Sequence, residues 1–106
     1  MTGTENDMPC EETLRTALRR VIDPEAGMNI VDLGLVYAID IAPAWVRIVM
    51  TMTTPACPMS AMIMEEVRRE ARTVMPVDAE IDVQLVWEPP WNADMLSARA
   101  KEHFGW

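Results

Sequence analysis

The chain is poor in the residues from which metal and nucleophile sites are usually assembled. Its 106 residues include two cysteines, one histidine, one tyrosine and four glycines. Cys10 and Cys57 lie far apart and form no CxxC, so neither a disulfide framework nor a redox dithiol is expected. A closed zinc site takes four Cys or His ligands, and Cys10, Cys57 and His103 make three at no recognised spacing. A Cys–His nucleophile pair requires His103 to fold back onto Cys57, and no other base is evident, so an enzyme is not expected. No GxGxxG or GxxxxGK[ST] is present, which removes the usual backbone cradles for nucleotides. Positive charge is scarce as well: nine Lys and Arg stand against 17 Asp and Glu, a net charge of -8. Nothing here neutralises phosphates, so nucleic acid and anionic membrane surfaces are poor partners. No apolar run approaches a membrane span. Residues 1–7 lack the basic start and apolar core of a signal peptide, and a cytoplasmic location is the expectation.

What the chain does have is apolar substance. Half of its residues are hydrophobic and ten are methionine. The methionines are expected to fill core gaps rather than to bind metal. A frayed tail over residues 1–7 and one domain over 8–106 follow from length and patterning. Pro9 opens a first helix, capped by Asp7 or Met8, with Leu14, Ala17, Leu18 and Val21 on its apolar side. Asp23-Pro24-Glu25 ends it, because the residue before proline is pushed out of the helical region. A hairpin follows, with Leu35, Tyr37, Ile39 and Ile41 on one face of its first strand. The return strand sets Val46, Ile48, Met50 and Met52 against Trp45, Arg47, Val49 and Thr51. A second helix spans about Pro58 to Val74, a third strand about Ala79 to Trp87, and a short helix is capped by Ser97 and stopped by Gly105. The order α-β-β-α-β-α predicts a two-layer α+β domain, its helices on one face of a small mixed three-stranded sheet. The stiff segment Trp87-Glu88-Pro89-Pro90-Trp91 reads as a packing lid or a recognition surface.

The junction Thr53-Thr54-Pro55-Ala56-Cys57-Pro58 carries the chemistry. With Pro58 at the first helical position, Cys57 falls at the helix N-cap, beside unpaired N–H groups and the positive end of the dipole. Such a place favours thiolate over thiol. The residues alone leave an inert and a reactive cysteine about evenly matched, and the position between two prolines tips the reading toward a reactive one. Thr53 and Thr54 add hydroxyls that shape the loop or donate to a bound group. The loop carboxylates Asp23, Glu25 and Asp32 are capping or solvated groups, or neighbours of that chemistry. Iron–sulfur clusters are usually held by four thiolates, so one chain cannot complete such a site alone.

Four ordered segments carry a resemblance: Asp23-Pro24-Glu25, Asn29 to Tyr37 (NIVDLGLVY), Thr53 to Pro58, and Val86 to Trp91 (VWEPPW). Together they resemble the metal–sulfur cluster biosynthetic family, which includes SufT-like proteins, the phenylacetate-pathway D subunit and the cytosolic iron–sulfur targeting factor. The resemblance implies an iron–sulfur-assembly-type α/β fold. It also implies a role in maturing or delivering clusters, as a non-enzymatic accessory protein that meets assembly machinery and client apoproteins. The family's functional cysteine falls on Cys57, its acidic loop on Asp23 and Glu25, and its turn aspartate on Asp32. A transient iron–sulfur cluster shared across a homodimer is the implied cargo, with Trp87 and Trp91 as partner-docking residues. The alternative is an adaptor that never holds a cluster. Ending at Trp106, without the cysteine-rich extension of the phenylacetate-pathway members, favours the SufT-like branch. Cys10 matches none of the four segments.

Overall fold

Five short strands and three α-helices follow one another along the chain in the computed structural model, which describes residues 9–53 and 59–105. Helix α1 (Glu11–Leu18) buries Leu14, Ala17 and Leu18, the spacing of one helical face. It starts later than expected. Cys10 occupies the N-cap position in an extended conformation, and its side chain makes no capping bond. Pro9 therefore precedes the helix instead of opening it.

Between α1 and the hairpin lies a small ribbon that the residue pattern does not predict. Strands β1 (Ile22–Asp23) and β2 (Met28–Asn29) pair antiparallel as a two-residue ribbon around Asp23-Pro24-Glu25. Two-residue strands are too short for period-two patterning to announce them. Strands β3 (Val36–Ala42), β4 (Trp45–Met50) and β5 (Glu80–Leu85) form the main sheet in the order β3-β4-β5. The hairpin β3–β4 is antiparallel and β4–β5 is parallel, joined through α2 (Ser60–Arg72). The sheet is mixed, as predicted, and the fold is α+β.

Two register details depart from expectation. The β3–β4 pairing shifts between Val36, opposite Met50, and Ala38, opposite Val49, so Tyr37 is the extra residue of a β-bulge. Strict alternation would put Tyr37 on the core face with Ile39. The bulge instead gives that face to Val36, which is buried. Helix α2 begins at Ser60 with Met59, not Cys57, in the N-cap position. Met59 sits in a turn-like conformation (φ -96°, ψ 5°) and contributes no side-chain cap, so the chain enters the helix from a turn. Pro55, Ala56, Cys57 and Pro58, with Thr54, lie outside the described residues.

The core lies between the sheet and the helices. Val46, Ile48 and Met50 on β4 and Ile63, Val67 and Ala71 on α2 are fully buried. Each of the larger side chains among them contributes roughly 1.5–3 kcal/mol relative to exposure. The opposite face of β4, with Trp45 and Arg47, is exposed. At the end of α2 the Arg72 guanidinium donates to the carbonyls of Pro76, Val77 and Ala79 at 3.1, 3.3 and 2.8 Å, which shapes the entry to β5. After β5 a 3-10 turn (Ala93–Met95) leads to α3 (Ala98–Phe104). The predicted Ser97 cap is made, through Ala100 N–H at 3.1 Å, and Gly105 closes the helix in the left-handed region.

Gly34 is where the C-terminal segment closes on the sheet. Its φ is +78°, and a Cβ there would overlap the Met95 carbonyl group, with the carbonyl carbon at 2.8 Å. Gly27 has a similar φ of +69° but open space around it. Gly34→Ala is expected to cost about 2–4 kcal/mol, backbone strain plus overpacking. Gly27→Ala should cost only the strain, about 1–2 kcal/mol. Denaturant unfolding of the pair checks this; equal losses would remove the role of the Met95 contact.

Candidate functional site

Because β4 and β5 run parallel, their carboxyl ends lie side by side, Met50 opposite Leu85. Strand β3 runs the other way and starts there, with Val36 opposite Met50. Three connections therefore meet at one end of the sheet: the lead into β3, the exit from β4 and the exit from β5. Crevices beyond the carboxyl ends of parallel strands are habitual ligand sites. The exit from β4 runs from Thr51 through Thr53 toward Cys57.

Hydrogen bonds weave the three connections together. Thr51 N–H donates to the Leu35 carbonyl and Val86 N–H to the Met50 carbonyl, both at 2.8 Å. The segment from Val86 to Trp91 then crosses the end of β4 like a strap. It is tied on the far side by the Tyr37 hydroxyl, which donates to the Pro89 carbonyl at 2.6 Å, and by the Trp91 indole N–H, which donates to the Leu33 carbonyl at 2.6 Å. The β3 bulge supplies the first tie, since Tyr37 is the residue it displaces. Burial pushes the Tyr37 phenol above its ordinary pKa; the nearby Thr51 hydroxyl opposes that and the Glu88 charge adds to it. The phenol therefore stays a neutral donor. Thr51 itself is fully buried, and its hydroxyl, although close enough to act on Tyr37, is in hydrogen-bonding geometry with no described group.

The lead into β3 is held by a reciprocal clasp. Asp32 N–H donates to Asn29 Oδ1 at 2.8 Å, and Asn29 Nδ2 donates to Asp32 Oδ2 at 2.7 Å. The Asp32 carbonyl accepts from Ser97 N–H at 2.8 Å, joining this turn to α3. Burial raises the Asp32 pKa. Hydrogen bonds from Asn29 and Ser97 and the charges of Arg19 and Arg99 outweigh it, and the net shift is downward.

Asp23 is almost completely buried, and its Oδ1 accepts from the N–H groups of Glu25 (2.9 Å) and Ala26 (3.4 Å). With Gly27 N–H on the Asp23 carbonyl at 2.7 Å, this carboxylate builds the ribbon turn. Glu25 is exposed on that turn. Among the described residues no three His, Cys, Asp or Glu side chains gather as a metal-binding group. Thr53 is half-buried, whereas Thr54 and Cys57 lie outside the described residues. Trp87 is 41% exposed, but Trp91 packs against the core. Cys10 is exposed at the N-cap of α1, its thiol 3.3 Å from Thr13 Oγ1, and bonds from Thr13 hold its pKa below the ordinary value. Sequence reasoning missed Asn29, Tyr37 and Thr51 as site-building residues. The N-x-x-D spacing and the single tyrosine beside the DLG turn were the available signals.

The model of the family described as iron–sulfur cluster assembly protein matches residues 11–83. The chain belongs to this family. The match spans Asp23, Glu25, Asp32, Thr53 and Cys57 and ends before the Trp87–Trp91 strap. An Fe-S protein maturation auxiliary factor of Porphyromonas gingivalis is 41% identical over 96 residues, 90% of each chain. The Bacillus subtilis Fe-S protein maturation auxiliary factor YitW is 40% identical over 96 residues, 90% of this chain and 93% of that protein. A crystal structure of a domain of unknown function from Bacillus anthracis superimposes with a TM-score of 0.84 at 42% identity, over 90% of this chain and 91% of that one. In this member of the iron–sulfur cluster assembly family, no helix among the described residues is long and apolar enough to cross a membrane.

Asp32 makes a pH prediction. Its folded pKa is depressed, so its stabilisation is present above the unfolded value of about 3.9 and is lost as pH falls through the folded one. Asp32→Asn should thus be less stable than the parent at pH 7, with the gap narrowing below about pH 4. Thermal melts from pH 7 to 2 measure it; a constant gap would contradict an ionic contribution.

Proposed function

We propose that this chain is a SufT-like accessory protein that assembles or carries iron–sulfur clusters for client apoproteins, with Cys57 as the thiolate ligand. The carrying observation is that the family's match runs through the β4 exit, where Cys57 follows in sequence the strand end at which three connections converge. The names of its relatives, Fe-S protein maturation auxiliary factors, support the cargo. The cluster is substrate here, to be received and passed on.

Ligand counting favours a homodimer. Two Cys57 thiolates supply half of the four ligands a cluster usually has. The remainder comes from carboxylates, small thiols or the client, and incomplete ligation lets the cluster leave. Glu25, exposed on the ribbon turn, is the carboxylate free to approach a metal ion. Asp23 acts mainly by fixing that turn, and Asp32 by fixing the lead into β3. Thr53 and Thr54 offer hydroxyl donors to a bound anion. With a net charge of -8 and no phosphate cradle, the partners are assembly proteins and client apoproteins in the cytoplasm, not nucleic acid or membrane. The action is transfer by ligand exchange, with no bond catalysis assigned to the chain.

Anaerobic reconstitution with iron and sulfide should give a visible chromophore in the parent chain that Cys57→Ser loses. Maturation of a client enzyme should fall in parallel. A chromophore of equal intensity in Cys57→Ser would remove the ligand role.

A second reading is favoured by one observation: Trp87, Glu88, Pro89 and Pro90 are exposed in succession on the strap. The chain then serves as an adaptor that docks partners through Trp87 and holds no cluster. Trp87→Ala is the cleaner probe, since Trp91→Ala also removes the indole bond to Leu33. Partner capture lost in Trp87→Ala and intact in Cys57→Ser would establish the adaptor.

A further inference from the structure

No strand among the described residues pairs with the outer side of β5, the last strand in the order β3-β4-β5. The N–H groups of Glu80 and Val86 both point to β4, at the carbonyls of Ala44 and Met50. Since backbone groups alternate along a strand, those of Ile81, Val83 and Leu85 point outward. Natural sheets blunt such edges with bulges, prolines or inward charges. The other edge of this sheet has that protection in the Tyr37 bulge of β3. Strand β5, sequence EIDVQL, has no proline, lysine or register shift against β4.

Its side chains are sorted by face. Glu80, Asp82 and Gln84 are exposed, and Ile81 and Leu85 on the other side are half-buried. Beside the start of the strand lies an open depression of about 590 Å³, lined by Trp45, Arg47, Arg72, Glu80, Ile81 and Asp82. Both cations there are engaged. Arg47 lies 3.4 Å from Asp82 and over the Trp45 ring at 5.4 Å, and Arg72 donates to three carbonyls. What remains for a visitor is the Glu80 carboxylate, with exposed Asp78 just before it and the Trp45 ring beside it.

We propose that the free edge of β5 is a docking surface for an extended partner segment of alternating basic and apolar residues, which adds a fourth strand to the sheet. Main-chain bonds to Ile81, Val83 and Leu85 supply attachment. Basic side chains meet Glu80, and apolar ones meet Ile81 and Leu85. The carboxylates of β5 select against a second copy of the chain, since two such edges would set Glu80 and Asp82 of both on one face, each chain already at -8. The surface is independent of Cys57 and of any cluster.

The test is an NMR titration of the full-length 15N-labelled chain with the peptide acetyl-Lys-Val-Lys-Val-Lys-Val-Lys-amide. Binding should shift the amides of Ile81, Val83 and Leu85 and slow their hydrogen exchange. Glu80→Lys should weaken binding by about tenfold or more. Ile81→Pro should abolish it while leaving the β4 ladder intact, because the lost N–H faces outward. A peptide with its central valine replaced by proline should not bind. The proposal is overturned by no binding, by shifts that map elsewhere, or by equal binding of a Glu-Val peptide. It is equally overturned if those three amides are already protected in the free chain, whether by a second copy or by its own residues. Cys57→Ser should bind the peptide as the parent does, so loss of the cluster chromophore in that variant bears on the cargo alone.

Discussion

Everything at the candidate site depends on β4 and β5 lying parallel. An antiparallel partner would send the segment after β5 to the opposite end of the sheet, away from the β4 exit. Parallel pairing requires a crossover, and α2 is that crossover. Its buried residues Ile63, Val67 and Ala71 cover the sheet while its length returns the chain to the start of β5. The core and the site are consequences of one pairing. Its energy comes from ordinary burial; its functional yield is the convergence of three connections at Met50, Leu85 and Val36.

Polar detail then fixes what the pairing brings near. The Asn29–Asp32 clasp, the Tyr37–Pro89 bond and the Trp91–Leu33 bond each add a directional tie to what packing and main-chain bonds already hold. A net hydrogen bond contributes roughly 0.5–1.5 kcal/mol, so none of these decides folding alone. Their effect is positional. They hold the strap across the sheet end and leave the Thr51 hydroxyl beneath it without a described partner, an arrangement that packing alone would not favour.

The element order, the mixed sheet, the Ser97 cap and the two faces of β4 were legible because each rests on periodicity or on a residue with one strong local preference. Val46, Ile48 and Met50 alternate cleanly and are buried as that alternation requires. The β1–β2 ribbon was not legible, since two residues carry no period and Asp23 appears in sequence as a plain helix stop. The Tyr37 bulge was hidden for a related reason: LVYAI is apolar throughout, so alternation could not say which residue was extra. The start of α2 at Ser60 shows the limit of reading a cap from proline alone, because proline as a residue type suits a turn as well as the first helical position. For the site, resemblance located the β4 exit, while the residues that brace it came only from the tertiary contacts.

The Tyr37 bulge separates two tasks along β3. With Val36 opposite Met50 and Ala38 opposite Val49, the ladder on either side of Tyr37 has the register it would have without that residue. Removing Tyr37 would therefore leave a regular hairpin in which no side chain changes face. What would go is the phenol, and with it the bonds to the Pro89 carbonyl and the Met95 sulfur. The extra residue is a peg set into the strand for the segment that crosses it, and the pairing does not need it.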